Sequence, residues 1–366
     1  MKGENKMKKI ISILLICLMM VSLVACGTEK APVTSATPEP SSAPTAAPEV
    51  VGIPHGELIN KFPAIIDINE KIFANKKYKI AYANWNDQNS ISIIVRDSVV
   101  DACKYYGVEL MIFDNKQDPA QAMSNADNAI QAGVDFYLNY NQDESINAAI
   151  AKKLEDNGIP MISIQTKARD GIDPEYVVDN SKIGSIGGDL LAKTAKELWP
   201  DEKPILFVAG HDEAGVNFIT RANSCIEAVK TAMPGVEVFK ISTQGSPEIT
   251  RQQTADFLTA HPEGKIMMWC HIDQNTMGML ASVKAAGREK DVIITSLGAN
   301  PVIFEELKAS GSPILGTVAQ FSERFGWDLL PLAIAQLNDG TKPPLKTMPP
   351  LDIVTKGTLN TYYPNN

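Results

Sequence analysis

The side chains of this 366-residue chain that are able to act on a substrate are scattered, and none falls into a spacing that catalysis needs. The four histidines, His55, His211, His261 and His271, lie in separate segments without the spacing of a metal-ligand set. No Gly-x-Ser-x-Gly turn raises a serine nucleophile, and no His-Glu-x-x-His run pairs two metal ligands with a general base. Gly184, Gly187 and Gly188 fit neither the dinucleotide fingerprint nor the P-loop, and read as close-packing positions on a helix. Loop ends carry instead hydrogen-bonding groups that are neutral or singly charged, with an aromatic or two, as in 84–90 and 211–217. That mixture suits a polyhydroxylated molecule, whose hydroxyls want donors and acceptors while its C–H faces lie on rings. The chemistry expected is binding without reaction: no enzyme, no cofactor and no metal.

Such loops need a frame that aims them at one place. Tyr78 to Ala83 is an extended apolar run that leads into the first polar loop. Ile91, Val95, Val99, Ala102 and Tyr106 then recur near 3.6 residues, and Gly107 ends the helix. Strands are predicted at 108–113, 134–139 and 159–164, with helices at 120–131 and 145–156 between them. A crossover is expected at Tyr176–Gly184, followed by a linking helix over 182–198. The design then repeats: an apolar run at 204–210, a polar loop, and a helical pattern at 218–233. Further strands are expected at 236–241, 265–270, 292–297 and 314–319, with helices at 246–259, 275–286 and 301–309. A helix over 326–338 and a short strand over 351–355 end the chain. Regular alternation of this kind predicts an α/β fold of two Rossmann-like lobes with parallel sheets. Facing lobes make a cleft at the carboxyl ends of their strands, where open parallel sheets bind ligands.

The first fifty residues stand apart. Lys6, Lys8 and Lys9 precede an apolar core, Ile10 to Val21, too short for the ~20 residues of a membrane span, so 1–26 reads as a signal peptide. Its end, Leu23-Val24-Ala25-Cys26-Gly27, resembles the lipobox of bacterial lipoproteins, which would make Cys26 the lipidated mature N-terminus and the membrane a partner. Residues 27–51, rich in Pro, Ala and Ser, cannot offset their ordering entropy by burial and read as a disordered tether. Residues 52–76 form an N-terminal extension, with a short packed helix as the expectation. A net charge of −9 and the lack of a basic stripe exclude nucleic acid as a partner. Cys103, Cys225 and Cys270 sit in apolar patterns and are expected as buried hydrophobes, with a Cys225–Cys270 bridge as the alternative.

Over Tyr78 to Ile353 the order of parts resembles the type I periplasmic binding proteins of the ribose/galactose class, the solute receptors of ABC importers. The resemblance rests on the polar loop after strand one, Asp179-Asn180 at the first crossover, and Arg221 in the first full helix of the second half. Asp273 after a strand and Thr317-Val318-Ala319-Gln320 at the second crossover complete it. It implies a three-strand hinge, near Asn180–Ser181, Gln320–Phe321 and Met348–Pro350. Lobe 1 is then 77–180 plus 321–347, and lobe 2 is 181–320 plus 348–366. It also implies ligand contacts from Asn89 in the first loop, from Asp143 or its neighbour Gln142 after strand three, and from Arg221. Asn180 and Gln320 match hinge positions that reach into the cleft, and Trp85 lies in the first loop where its ring could stack on a sugar. The chain departs from the pattern in three places: Ile272 precedes Asp273 where the family has Asn, Gly298 stands where it has Asp, and Gln165 replaces a frequent Asp. Losing carboxylates, each hydrogen bond to which is worth ~1.5–3 kcal/mol, argues against plain ribose as the ligand. His271 and Trp269 either line the altered region or are simply strand residues.

The function implied is that of an extracytoplasmic, lipid-anchored protein that captures a sugar or sugar-like molecule and delivers it to the permease subunits of an ABC importer. The alternative is a receptor that presents its closed form to a membrane kinase or chemoreceptor, since both uses read the same closure. A repressor of related fold is disfavoured by the secretion signal and by the lack of a helix-turn-helix before Tyr78.

Overall fold

The computed structural model describes residues 65–365. The signal segment, Cys26 and the tether lie outside the described residues. The first half alternates β1 (Lys79–Asn84), α1 (Ser90–Tyr106), β2 (Glu109–Asp114), α2 (Pro119–Gln131), β3 (Phe136–Tyr140), α3 (Glu144–Asp156), β4 (Met161–Ile164) and β5 (Glu175–Tyr176). After the crossover come α4 (Asn180–Leu198), β6 (Ile205–Gly210), α5 (Val216–Ala232), β7 (Val238–Ser242), α6 (Pro247–Ala260), β8 (Ile266–Cys270) and α7 (Asp273–Ala285). They are followed by β9 (Val292–Leu297), α8 (Pro301–Lys308), β10 (Ile314–Ala319), α9 (Phe325–Asp339), β11 (Lys346–Thr347), β12 (Asp352–Thr355) and α10 (Leu359–Tyr362).

Two six-stranded sheets result, in the orders β11-β5-β4-β3-β1-β2 and β12-β10-β9-β8-β6-β7. All neighbours are parallel except β12, which runs antiparallel to β10. Strands covered on both faces must be apolar along their whole length, and β3 and β8 are buried at every position. In the first sheet Val95, Val99 and Ala102 of α1 pack with Leu329, Leu330 and Ala333 of α9 on one face. Ala122 and Ala126 of α2 and Ile150 and Leu154 of α3 cover the other. The second sheet is covered by Leu191, Ala192, Cys225 and Val229 of α4 and α5 on one side. Met279, Val283, Ile303 and Phe304 of α7 and α8 cover the other side.

Local chemistry sets the helix ends that matter here. Asn89, Asp118, Ser246 and Asn300 each accept backbone N–H groups at the start of a helix, and Pro119, Pro247 and Pro301 occupy first helical positions, where no N–H is needed. Each helix therefore begins at the carboxyl end of the preceding strand, and its orphan N–H groups point toward that end.

The chain passes between the sheets three times: from β5 to α4, from β10 to α9, and from β11 to β12. Two of these passages rely on the two-residue strands β5 and β11, which are too short to leave an alternating pattern in the sequence. Residues 65–76, part of the segment expected to be helical, form irregular backbone with isolated turns instead. Ile65 is buried in the core of the second sheet, while Ile66, Ile68 and Ile72 pack against the core of the first. Arg324 Nη1 donates to the Ile65 carbonyl at 2.8 Å, and Asn338 Nδ2 to that of Phe73 at 2.9 Å. Irregular backbone of this kind is held by partners outside itself, which periodicity does not reveal. The three described cysteines are free and buried, so no Cys225–Cys270 bridge forms; burial raises the thiol pKa of each.

Candidate functional site

A cavity of about 680 Å³ lies where the carboxyl ends of the two sheets face each other. From the first lobe its walls come from Trp85, Gln88 and Asn89 after β1, Gln117 after β2, Tyr140 and Gln142 at the end of β3, and Gln165 after β4. From the second lobe come His211 after β6, Phe218 and Arg221 of α5, Pro247 at the start of α6, and His271 to Asn275 (Asp273 excepted) around the start of α7. Gly298 after β9 and Gln320 after β10 complete that side. At the cleft the lobes are bridged where Gln274 Nε2 donates to Ser90 Oγ at 2.6 Å and Asn217 Nδ2 donates to the Gln165 carbonyl at 3.4 Å.

Trp85 and Tyr140 form the aromatic wall of the first lobe, their ring centroids 6.4 Å apart. Asn89 spends Oδ1 on capping α1, accepting from the N–H groups of Ile91 and Ser92, and so presents its amide from a fixed rotamer. Gln165 is 5% exposed and adopts φ of 68°, a left-handed conformation that an unbranched side chain tolerates only when its surroundings hold it.

On the second lobe His211, Phe218 and His271 stack edgewise, with centroids 5.4 to 6.0 Å apart. The Arg221 guanidinium lies 5.0 Å above the Phe218 ring, a cation–π geometry. Its Nε donates to Asn180 Oδ1 at 2.6 Å; Asn180 Nδ2 in turn donates to Asn217 Oδ1 at 3.0 Å. Burial pulls the Arg221 pKa down to about 10. His271 is 3% exposed, and its Nε2 meets Thr243 Oγ1 at 2.8 Å and Asn275 Nδ2 at 3.1 Å. Burial first, then His211 and Arg221, lower its pKa to about 3, so the ring is neutral at pH 7. An amide nitrogen only donates, so Nε2 is the acceptor and Nδ1 carries the proton, an assignment made from the hydrogen-bond network. That Nδ1 is buried without a partner among the described residues.

Of the residues expected from the sequence, Trp85, Asn89, Gln142, Gln165, Arg221, His271 and Gln320 come together around the cavity. Three expected residues sit elsewhere. Asp143 caps α3, accepting from the N–H and hydroxyl of Ser145, because a carboxylate ahead of a helix is drawn to its orphan donors. Asn180 lies behind Arg221 and holds its Nε. Asp273 is fully buried beneath the floor, accepting from Ser296 Oγ, from Thr317 Oγ1 at 2.7 Å and from the Asn300 N–H at 2.7 Å. Burial raises its pKa to about 6. Trp269 is also in the core rather than the cleft, with Gly187 against its indole. Gly298 has φ of 133°, and a Cβ there would stand 3.0 Å from Asp273 Oδ2, so this position has neither the conformation nor the room for an aspartate. Tyr140, His211, Phe218 and Gln274 were not expected by name. For Tyr140, His211 and Gln274 the signal was position, the last residue of a strand or the first few beyond it; Phe218 lies on the first turn of α5, beyond the loop that follows β6.

The residues 80–342 match the family model described as a periplasmic binding protein domain. The ribose import binding protein of Bacillus subtilis (strain 168) is 22% identical over 260 residues, covering 69% of this chain and 79% of its own. The Escherichia coli (strain K12) ribose import binding protein is 22% identical over 251 residues, 65% and 77% of the two chains. Among solved structures, a Caulobacter myo-inositol binding protein bound to myo-inositol superposes with a TM-score of 0.65 at 19% identity, covering 80% of this chain and 97% of its own. An ABC transporter periplasmic solute binding protein from Actinobacillus succinogenes with bound D-allose gives 0.67 at 20% identity, over 78% and 100%. With two parallel-sheet lobes, three crossings and a polar cavity at the strand ends, matched over most of its described length, the chain belongs to the periplasmic binding protein family.

Proposed function

We propose that this protein captures a sugar, polyol or related small molecule between its two lobes and delivers it to the permease of an ABC importer. Family membership makes it an extracytoplasmic solute-binding protein. The observation that carries the ligand class is the cavity lining: Gln88, Asn89, Gln117, Gln142, Gln165, Gln274, Asn275 and Gln320 offer donors and acceptors on every side, between Trp85, Tyr140 and Phe218. Among the described residues no group of histidine, cysteine and acidic side chains is set to hold a metal ion. A thermal-shift screen against sugars, sugar acids, polyols and nucleosides tests the reading. A ligand at a hundred times its dissociation constant adds about 2.7 kcal/mol and raises the melting temperature clearly. A panel in which nothing shifts the melt removes the reading.

The finer localisation is a lipid anchor on Cys26, supported by the small residues before it and the proline-rich stretch after it. Among the described residues no helix is long and apolar enough to cross a membrane. Cys26→Ser, followed by cell fractionation, should move the processed protein from the membrane to the soluble fraction. Retention of a processed, membrane-bound variant places the anchor elsewhere.

A further inference from the structure

Resting on the reading that the cleft takes a sugar-like solute, we propose that this solute is anionic: a sugar acid whose carboxylate pairs with Arg221 and is met by the Nδ1–H of His271.

The argument begins with what the cavity lacks. Among the described residues that line it there is no aspartate and no glutamate, and Arg221 is the one arginine or lysine. An arginine 9% exposed and without a carboxylate partner is costly, because burial removes the hydration of its charge and the surrounding protein restores only part of it. Asn180 and the Phe218 face supply a neutral bond to Nε and a cation–π contact. The two Nη amino groups have no partner among the described residues, and their planar fork matches the two oxygens of a carboxylate.

The nearby acids are already committed. Asp273 serves Ser296, Thr317 and Asn300 beneath the floor. Asp212 and Glu213, beside His211, are paired with Lys240 at 2.6 Å and Ser242 at 2.6 Å, and Asp87 with Arg96 at 3.1 Å. None of them neutralises Arg221. The second observation is independent: His271, also at the cavity wall, has a buried Nδ1 with no partner. Burial holds the His211 and His271 imidazoles below the ordinary histidine range and so neutral, and the one guanidinium then places a single positive charge in the cavity, which matches a carboxylate monoanion and leaves a phosphate dianion undercompensated. The glutamine and asparagine amides that surround the charge are the groups to meet hydroxyls on the rest of the solute.

Isothermal titration of the purified mature protein tests this with D-galacturonate, D-glucuronate and D-gluconate, each beside its neutral parent, D-galactose, D-glucose and sorbitol, and with D-glucose 6-phosphate. At least one acid should bind roughly 30-fold or more tightly than its parent, the factor for one bond to a charged group. Arg221→Gln should erase that preference, and Arg221→Met should melt, without ligand, no lower than wild type, since an unpaired buried charge has been removed. A neutral parent that binds as well as its acid overturns the inference and leaves the sugar-capture reading standing. Tighter binding of the phosphate overturns the carboxylate assignment. No binding by any member, charged or neutral, overturns this inference and counts against sugar capture as well. The comparison of acid with parent uses the wild-type protein, so it holds even if a variant fails to fold.

Discussion

His271 shows how one residue's surroundings couple the cavity to the stability of the fold. Its pKa falls from 6.5 to about 3 because burial, His211 and Arg221 all oppose a second positive charge. The unfolded chain therefore binds a proton between those two values that the folded protein does not. The stability His271 contributes is fully present above pH 6.5 and is lost as pH falls toward 3. Asp273, raised from 3.8 to about 6, runs the other way: its contribution is present below 3.8 and is lost as pH rises through 6. The two slopes oppose each other between about pH 4 and 6. Comparing wild type with His271→Gln by denaturant unfolding isolates one of them. The wild-type advantage should shrink by roughly 1.4 kcal/mol for each pH unit below 6.5. A difference that stays constant from pH 7 to 5 would show that the ring titrates normally. At this scale the types of the cavity residues were legible from the sequence, but not their roles. Asp143 and Asp273 are carboxylates next to helix starts like any ligand-binding pair, and only the partners each one finds send them to a cap and to the floor.

At the scale of elements, the pairing of α4 with α5 holds Arg221 in place. A Cβ at Gly184 would stand 2.0 Å from the Arg221 carbonyl oxygen, and one at Gly188 would stand 2.6 Å from that of Cys225. The helices can approach this closely because those positions carry no side chain, and Asn180 at the start of α4 thereby reaches the Nε of Arg221. Gly184→Ala is expected to force the helices apart at a cost of about 1–3 kcal/mol, the usual range for overpacking. It should also weaken ligand binding, because α5 carries Arg221 and Phe218 with it. Equal loss of stability with unchanged affinity would separate the packing from the site. The spacing of the glycines on the linking helix pointed to close packing; which helix they meet, and that the contact falls on Arg221, depended on the fold.

For the whole molecule, the three crossings make relative movement of the lobes the expected response to a ligand. Phe321, at the second crossing, adopts φ of 48° although it is not glycine, a conformation costing roughly 1–2 kcal/mol that its burial in the second lobe's core holds in place. We expect hinge motion near 180–181, 320–321 and 348–350, opening the cleft when the Gln274–Ser90 and Asn217–Gln165 bonds part. Small-angle scattering should then give a smaller radius of gyration with saturating ligand than without it. An unchanged radius, with binding confirmed by calorimetry, would speak for a cavity that fills without closure.

The sequence by itself determined the alternation of strands and helices, the division into two similar halves, and the loops that bear the cavity's polar groups. These follow from periodicity and from capping chemistry, which act over a few residues. β5, β11 and the path of 65–76 were decided only by the tertiary structure, since a two-residue strand or an irregular strap exists through its neighbours. The same holds for charge. That Arg221 stands buried over Phe218 with no carboxylate paired to it among the described residues, while the chain as a whole carries a net charge of −9, is a matter of which residues the two sheets bring face to face. Composition counts charges; only the fold sets the distances at which they are felt.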